Sequence, residues 1–182
     1  RFADVPVHRR HPVRRIVMTD VGVQVEGHDT WRALGALVTV STNVLASGAI
    51  SIEPGLPAFK LQAARGLPLG HAERVAIGLH GSAERWAPSH TSVLSSMTDH
   101  GTVSLFVRPH GWPVVNAYFG GRHAAELART GRHALIAETI RHLAHLAGRT
   151  ESEVNADLDS ASASCWTIDP FVQGAYSYAR PG

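Results

Sequence analysis

The feature that most limits what this chain can fold into is a change of hydrophobic period at Gly120-Gly121. Before those glycines, residues 73–79, 102–108 and 113–119 have the short apolar pattern of strands and are expected to share one sheet. After them, apolar residues recur three and four positions apart through 123–129 and 133–147, with Leu135, Ile136, Ile140, Leu143 and Leu146 along one helical face. A segment that carries both periods has to lay helices against a sheet, so the expected class is α+β: a mixed sheet with helices on one face.

Upstream, residues 13–19 and 22–26 are short, apolar and β-branched around an Asp20-Val21-Gly22 turn, which reads as a β-hairpin. The run Ala36-Leu37-Val38-Thr39-Val40 is more continuously apolar and predicts a third strand covered on both faces. A helical turn is expected over 43–48 and a helix over 58–65, the latter bounded by Pro54-Gly55-Leu56-Pro57 and by Gly66 and Pro68. Thr150 and Glu153 have capping-box spacing for a last short helix, followed by a return strand over 164–168. The chain starts on Arg1 and stops at Arg180-Pro181-Gly182, directly after a strand-like aromatic stretch, and is read as a fragment.

Composition narrows the function classes. The hydrophobic share of 44% over 182 residues suits a chain with a real core. Cys165 is the only cysteine, which excludes an internal disulfide framework and speaks against cysteine zinc sites. A lone cysteine of this kind is expected to pack rather than to act as a nucleophile. The formal charge of +2 comes from basic residues scattered along the chain. The densest basic group, Arg9 to Arg15, runs into apolar Ile16-Val17-Met18 without interleaved aromatics, so no nucleic-acid partner is expected. No apolar run approaches the ~20 residues of a bilayer crossing, and a soluble cytoplasmic protein is the expectation. Twelve histidines invite a metal reading. The pairs His142/His145 and His8/His11 lack a third ligand in sequence reach, however, and are read as solvated, with no metal expected. No Gly-x-Ser-x-Gly elbow supports hydrolase chemistry.

Four stretches, taken in order, resemble the flavin-containing amine oxidases, the group of monoamine, polyamine and L-amino-acid oxidases. The first is His11-Pro12-Val13-Arg14-Arg15-Ile16. The second runs from Ala36 through Val44-Leu45 to Pro54-Gly55-Leu56-Pro57. The third is Pro68-Leu69-Gly70-His71-Ala72-Glu73-Arg74-Val75, followed by Trp86. The fourth and most specific is Trp166-Thr167-Ile168-Asp169-Pro170-Phe171, closing on Gly174-Ala175-Tyr176-Ser177-Tyr178.

The resemblance implies FAD as cofactor, with Val13, Trp166, Gly174, Ala175 and Tyr176 contributing to its site. It implies that residues 1–48 and the return segment 156–182 belong to an incomplete, Rossmann-like FAD-binding domain, and that 49–155 form the substrate domain. Tyr176 falls at the tyrosine that walls an aromatic cage for the amine, and Trp166 at a position near the flavin rings. Arg74 stands where the family has a lysine that holds a water against flavin N5. Arginine keeps the charge but is planar and always protonated, and it can orient a carboxylate by a bidentate pair. Tyr176 and Arg74 are therefore the catalytic candidates. Trp31, Trp86 and Trp112 are read as packing.

The implied activity is oxidation of an amine or amino acid to an imine, with oxygen as the expected acceptor. A flavin-dependent dehydrogenase or desaturase acting on a non-amine, and a non-catalytic binding domain of the same fold, stay open as alternatives. Expected partners are the small-molecule substrate and the remainder of the FAD-binding domain, with a homodimer left open. No Gly-x-Gly-x-x-Gly segment occurs, so the chain has no phosphate cradle of that type and is not expected to hold the cofactor alone.

Overall fold

A computed structural model describes residues 5–81, 83, 87, 92–98 and 101–180, with 92–98 described by backbone alone. The chain divides into two compact units, Arg1–Pro68 with Ala179–Gly182, and Leu69–Tyr178.

The first unit is built on the expected hairpin. Strands β1 (Arg15–Thr19) and β2 (Gly22–Glu26) pair antiparallel in the register Ile16↔Val25 and Met18↔Val23. Strand β3 (Thr30–Ala33) adds antiparallel to β2, and β4 (Ser51–Glu53) adds parallel to β1, giving the order β3-β2-β1-β4. Arg15 ties three of these strands together: its Nε lies 2.8 Å from Glu53 Oε1 and its Nη1 3.4 Å from Glu26 Oε2. These contacts raise the pKa of Arg15 and lower that of Glu53, chiefly through the hydrogen bond the two share.

Residues 36–40 are not a strand, contrary to the apolar pattern. Both edges of the β1–β2 hairpin are already taken, by β3 and β4, which leaves this run no hairpin edge to pair with. It lies instead over the sheet, where it lines a hollow of about 300 Å³ with Val13, Ile16, Val25 and Ile50. Leu37 remains 91% exposed. Helix α1 (Thr42–Ser47) forms as expected, with the Ser41 side chain accepting from Val44 N and Gly48 closing it in the left-handed region. Helix α2 (Ala58–Gly66) follows.

The second unit is a five-stranded antiparallel sheet of order β6-β7-β8-β5-β9. Its strands are β5 (Ala72–Leu79), β6 (Ser92–Thr98), β7 (Gly101–Val107), β8 (Val114–Gly120) and β9 (Leu158–Ala163). The three strands anticipated from the sequence do share this sheet. Alternate residues of β5, β7 and β8 are buried: Val75, Ile77 and Leu79, then Val103, Leu105 and Val107, then Val115, Ala117 and Phe119. This face packs with Leu135, Ile140, Leu143 and Val154 into one core. Helix α3 (Gly121–Thr130) starts on the second glycine of the pair, Gly121 adopting φ +66°, and α4 (Arg132–Ala147) follows after Gly131. Helix α5 (Glu151–Ala156) carries both halves of the Thr150/Glu153 capping box.

The return strand lies earlier than expected. Strand β9 ends at Ala163; Ser164 N still donates to Arg74 O on β5, but the backbone donors of Trp166 and Thr167 go to a buried carboxylate instead of to the sheet. Among the described residues no helix is long and apolar enough to cross a membrane.

Candidate functional site

Glu73 and Arg74 are consecutive on β5, so their side chains leave the sheet on opposite faces. Arg74 is exposed on the face away from the helices. Its guanidinium carbon lies 5.6 Å from the ring centroid of Tyr118, its register partner on β8. An exposed cation–π contact of this kind contributes about 0.5–1 kcal/mol. Among the described residues no carboxylate is paired with Arg74, which leaves its guanidinium edge open to an anion or a water.

Glu73 points the other way and is fully buried, at 0% exposure. Among the described residues its hydrogen-bond partners are all donors from a single segment. Ser164 Oγ donates to Glu73 Oε2 at 2.6 Å, the backbone N–H of Trp166 donates to the same oxygen at 3.0 Å, and that of Thr167 donates to Oε1 at 2.9 Å. Ser164 is also locked to the next residue of the strand. Its Oγ accepts from Arg74 N at 2.8 Å, and its own N–H donates to Arg74 O at 2.8 Å. A buried carboxylate costs several kcal/mol unless its lone pairs are used, and these donors use them.

The aromatic segment then returns on itself. Gly174 N donates to Trp166 O at 2.9 Å, Ala175 N to Gly70 O at 2.9 Å, and Gly70 N to Tyr176 O at 2.7 Å. Leu69 and Ser177 form an antiparallel bridge beside them. Gly174 has φ +143°, and a Cβ there would sit 2.5 Å from Leu69 Cβ, so only glycine fits without displacing the pair. Arg74, Trp166, Gly174, Ala175 and Tyr176 are thus joined around residues 69–74 by backbone hydrogen bonds together with the side chains of Glu73 and Ser164. Val13 lies in the other unit, partly buried beside residues 36–40.

The rings of this segment are uncovered. Tyr176 is 62% exposed and Trp166 46%, and Ile168, Phe171 and Tyr178 are exposed as well. Exposed large apolar side chains are thus concentrated on residues 166–178. Trp112 is 68% exposed, so it is not the packing residue the sequence suggested. Trp31 packs against His8, tilted, and His11, edge-on, with ring centroids at 5.4 and 5.6 Å. Trp86 lies outside the described residues.

His142 also departs from expectation. It is not solvated but 2% exposed, with Nε2 3.2 Å from Glu138 Oε1, and His123 approaches the same oxygen at 3.7 Å. Burial lowers the pKa of His142, outweighing the opposing pull of Glu138. The Cys165 thiol is pushed up, first by burial and then by the charge of Glu73, which disfavours the reactive thiolate. Among the described residues no group of three His, Cys, Asp or Glu side chains is arranged to hold a metal ion.

Sequence reasoning missed Glu73, Ser164 and Tyr118. For Glu73 a signal was present: it occupies the buried parity of β5, in step with Val75, Ile77 and Leu79, where a charge requires a partner.

All 182 residues match the family model described as flavin containing amine oxidoreductase. Among curated proteins, the chain is 29% identical over 184 residues to Lysine-specific histone demethylase 1 homolog 2 of Oryza sativa subsp. japonica, covering 98% of this chain and 24% of that protein. It is 34% identical over 77 residues to Probable polyamine oxidase 4 of Arabidopsis thaliana, covering 41% of this chain and 16% of that one. Cyclohexylamine oxidase from Brevibacterium oxydans IH-35A superposes with a TM-score of 0.59 at 21% identity, over 94% of this chain and 37% of the other. A double mutant of putrescine oxidase with redesigned cofactor binding gives a TM-score of 0.63 at 17% identity, over 93% and 37%. At these identities the two structures show a shared fold, and the chain spans about a quarter of the length of the first curated relative.

Proposed function

Because the chain belongs to the flavin-containing amine oxidoreductase family, we propose that the full protein oxidises an amine or amino acid to an imine, with FAD as cofactor and oxygen as acceptor. Family membership favours this over the non-amine and non-catalytic alternatives. The single observation that carries it is the uncovered aromatic surface of Trp166 and Tyr176 on a segment hydrogen-bonded to the strand of Arg74. Those exposed rings fit the flat ring end of a flavin. The residues proposed to hold the cofactor are Val13, Trp166, Gly174, Ala175 and Tyr176.

When bound, the flavin supplies the acceptor for a hydride equivalent from the carbon next to nitrogen. The work of this chain is to bind and orient. The Tyr176 ring offers an apolar face to the substrate carbon chain and keeps water from it. Arg74 is cationic at every working pH. It therefore disfavours an ammonium group beside it and favours the neutral amine, and its open guanidinium edge can hold a water or a substrate carboxylate.

The test is Tyr176→Ala in the full-length protein, with bound flavin measured by visible absorbance and turnover by peroxide release on a panel of amines and amino acids. Turnover is expected to fall about a hundredfold while flavin content stays near that of the parent. Loss of both to the same degree contradicts the role given to Tyr176.

A further inference from the structure

We infer that Glu73 is a positioning residue, which sets the Trp166 turn against the strand that carries Arg74. The inference rests on the reading of Trp166 and Arg74 as flavin-facing, and goes beyond it by naming what holds them in register.

The geometry is that of a latch. A carboxylate at 0% exposure receives the hydroxyl of Ser164 and two successive backbone amides, those of Trp166 and Thr167. Those amides belong to a turn that has already left the β9 ladder, so the sheet no longer fixes their place. Ser164 closes the set on the other side, because its hydroxyl accepts from Arg74 N while donating to Glu73. The turn that aims Trp166 is therefore registered to residues 73 and 74 by a few short contacts. Gly174 N in turn bonds Trp166 O, which carries the constraint on to the segment of Tyr176. A carboxylate only accepts, whereas a glutamine in its place brings an amide donor against donors. Glu73→Gln keeps the shape and removes the match.

The experiment uses the full-length flavoprotein. In Glu73→Gln, hydrogen exchange at the Trp166 and Thr167 amides is expected to rise at least ~tenfold. Exchange at Val75 and Ile77, which sit inside the ladder to β9, is expected to stay unchanged. Turnover should fall about tenfold with KM held within about twofold, because the groups that bind substrate remain but their aim is lost. The visible circular dichroism of the bound flavin should change with it. Ser164→Ala removes one donor and leaves the carboxylate, and should give smaller changes of the same sign if Glu73→Gln fails to fold.

Unchanged exchange at Trp166 and Thr167 would overturn the latch. Faster exchange with unaltered kcat and flavin dichroism would overturn the positioning role and reduce Glu73 to a structural group. If the parent full-length protein binds no flavin, the functional reading and the positioning role fail together, and the exchange measurement still decides whether the carboxylate holds the turn.

Discussion

Replacing Gly174 with alanine tests how tightly the aromatic segment is bound to residues 69 and 70. The added Cβ would lie 2.5 Å from Leu69 Cβ, 3.1 Å from Gly70 O and 3.3 Å from Leu69 Cδ1. Carbon atoms settle at about 3.5–4.0 Å, so the overlap with Leu69 Cβ is about an ångström. That atom is attached directly to the backbone and cannot rotate out of the way. The φ of +143° adds strain of about 1–3 kcal/mol for a residue with a side chain, and crowding of this order costs a further 1–3 kcal/mol. Relief is available by letting go of Ala175 N→Gly70 O and Gly70 N→Tyr176 O, each contributing about 1 kcal/mol net. Releasing them is the cheaper outcome, so the segment should lift away from Gly70 at a net cost of about 2 kcal/mol. Gly70→Ala is the control. Its Cβ would meet Tyr176 O at 3.5 Å and the Tyr178 ring at 3.8 Å, ordinary contacts, and stability should shift by less than about 1 kcal/mol. Urea denaturation of both variants, with hydrogen exchange read at the Gly70 and Ala175 amides, makes the comparison. Equal midpoints and equal exchange in the two variants would refute the reasoning.

Other outcomes follow from the core and from Arg74. Phe119→Ala empties a fully buried site in the core of the second unit and should cost about 3–5 kcal/mol in denaturant unfolding; a loss below about 1 kcal/mol would mean that the site collapses or is not core. Because burial lowers the His142 pKa in the folded state, the unfolded chain takes up a proton there first. Its stabilising contribution is complete above the ordinary imidazole value near 6.5 and diminishes as pH falls below it, until the folded form also protonates. His142→Phe should flatten that part of the stability–pH curve, and a slope identical to that of the parent would place its origin elsewhere. Arg74→Lys should raise flavin reoxidation by oxygen severalfold in the full-length protein, and an unchanged rate would put this side chain away from the reacting end of the flavin.

The strands and helices of the second unit were legible where burial is one-sided, because β5, β7 and β8 alternate and α4 repeats at helical spacing. Strand β9 was not, since Leu158–Ala163 is mostly exposed and built from serine, alanine and aspartate, with no apolar alternation to reveal it. Residues 36–40 misled for the opposite reason: an apolar run that lies over a sheet has the composition of one that lies within it. At the site, Tyr176 and Trp166 came from motif resemblance and stand exposed in the fold, whereas Glu73 needed the three-dimensional arrangement, because its partners lie 91 to 94 residues away. Three-residue β4 is too short to carry a period at all.

The most direct measurement is a crystal structure of the full-length protein with its flavin bound. The account predicts the Tyr176 ring facing the isoalloxazine, with Arg74 on the same side of the substrate space. A flavin ring contacted by other residues, with Tyr176 turned to solvent, would contradict it.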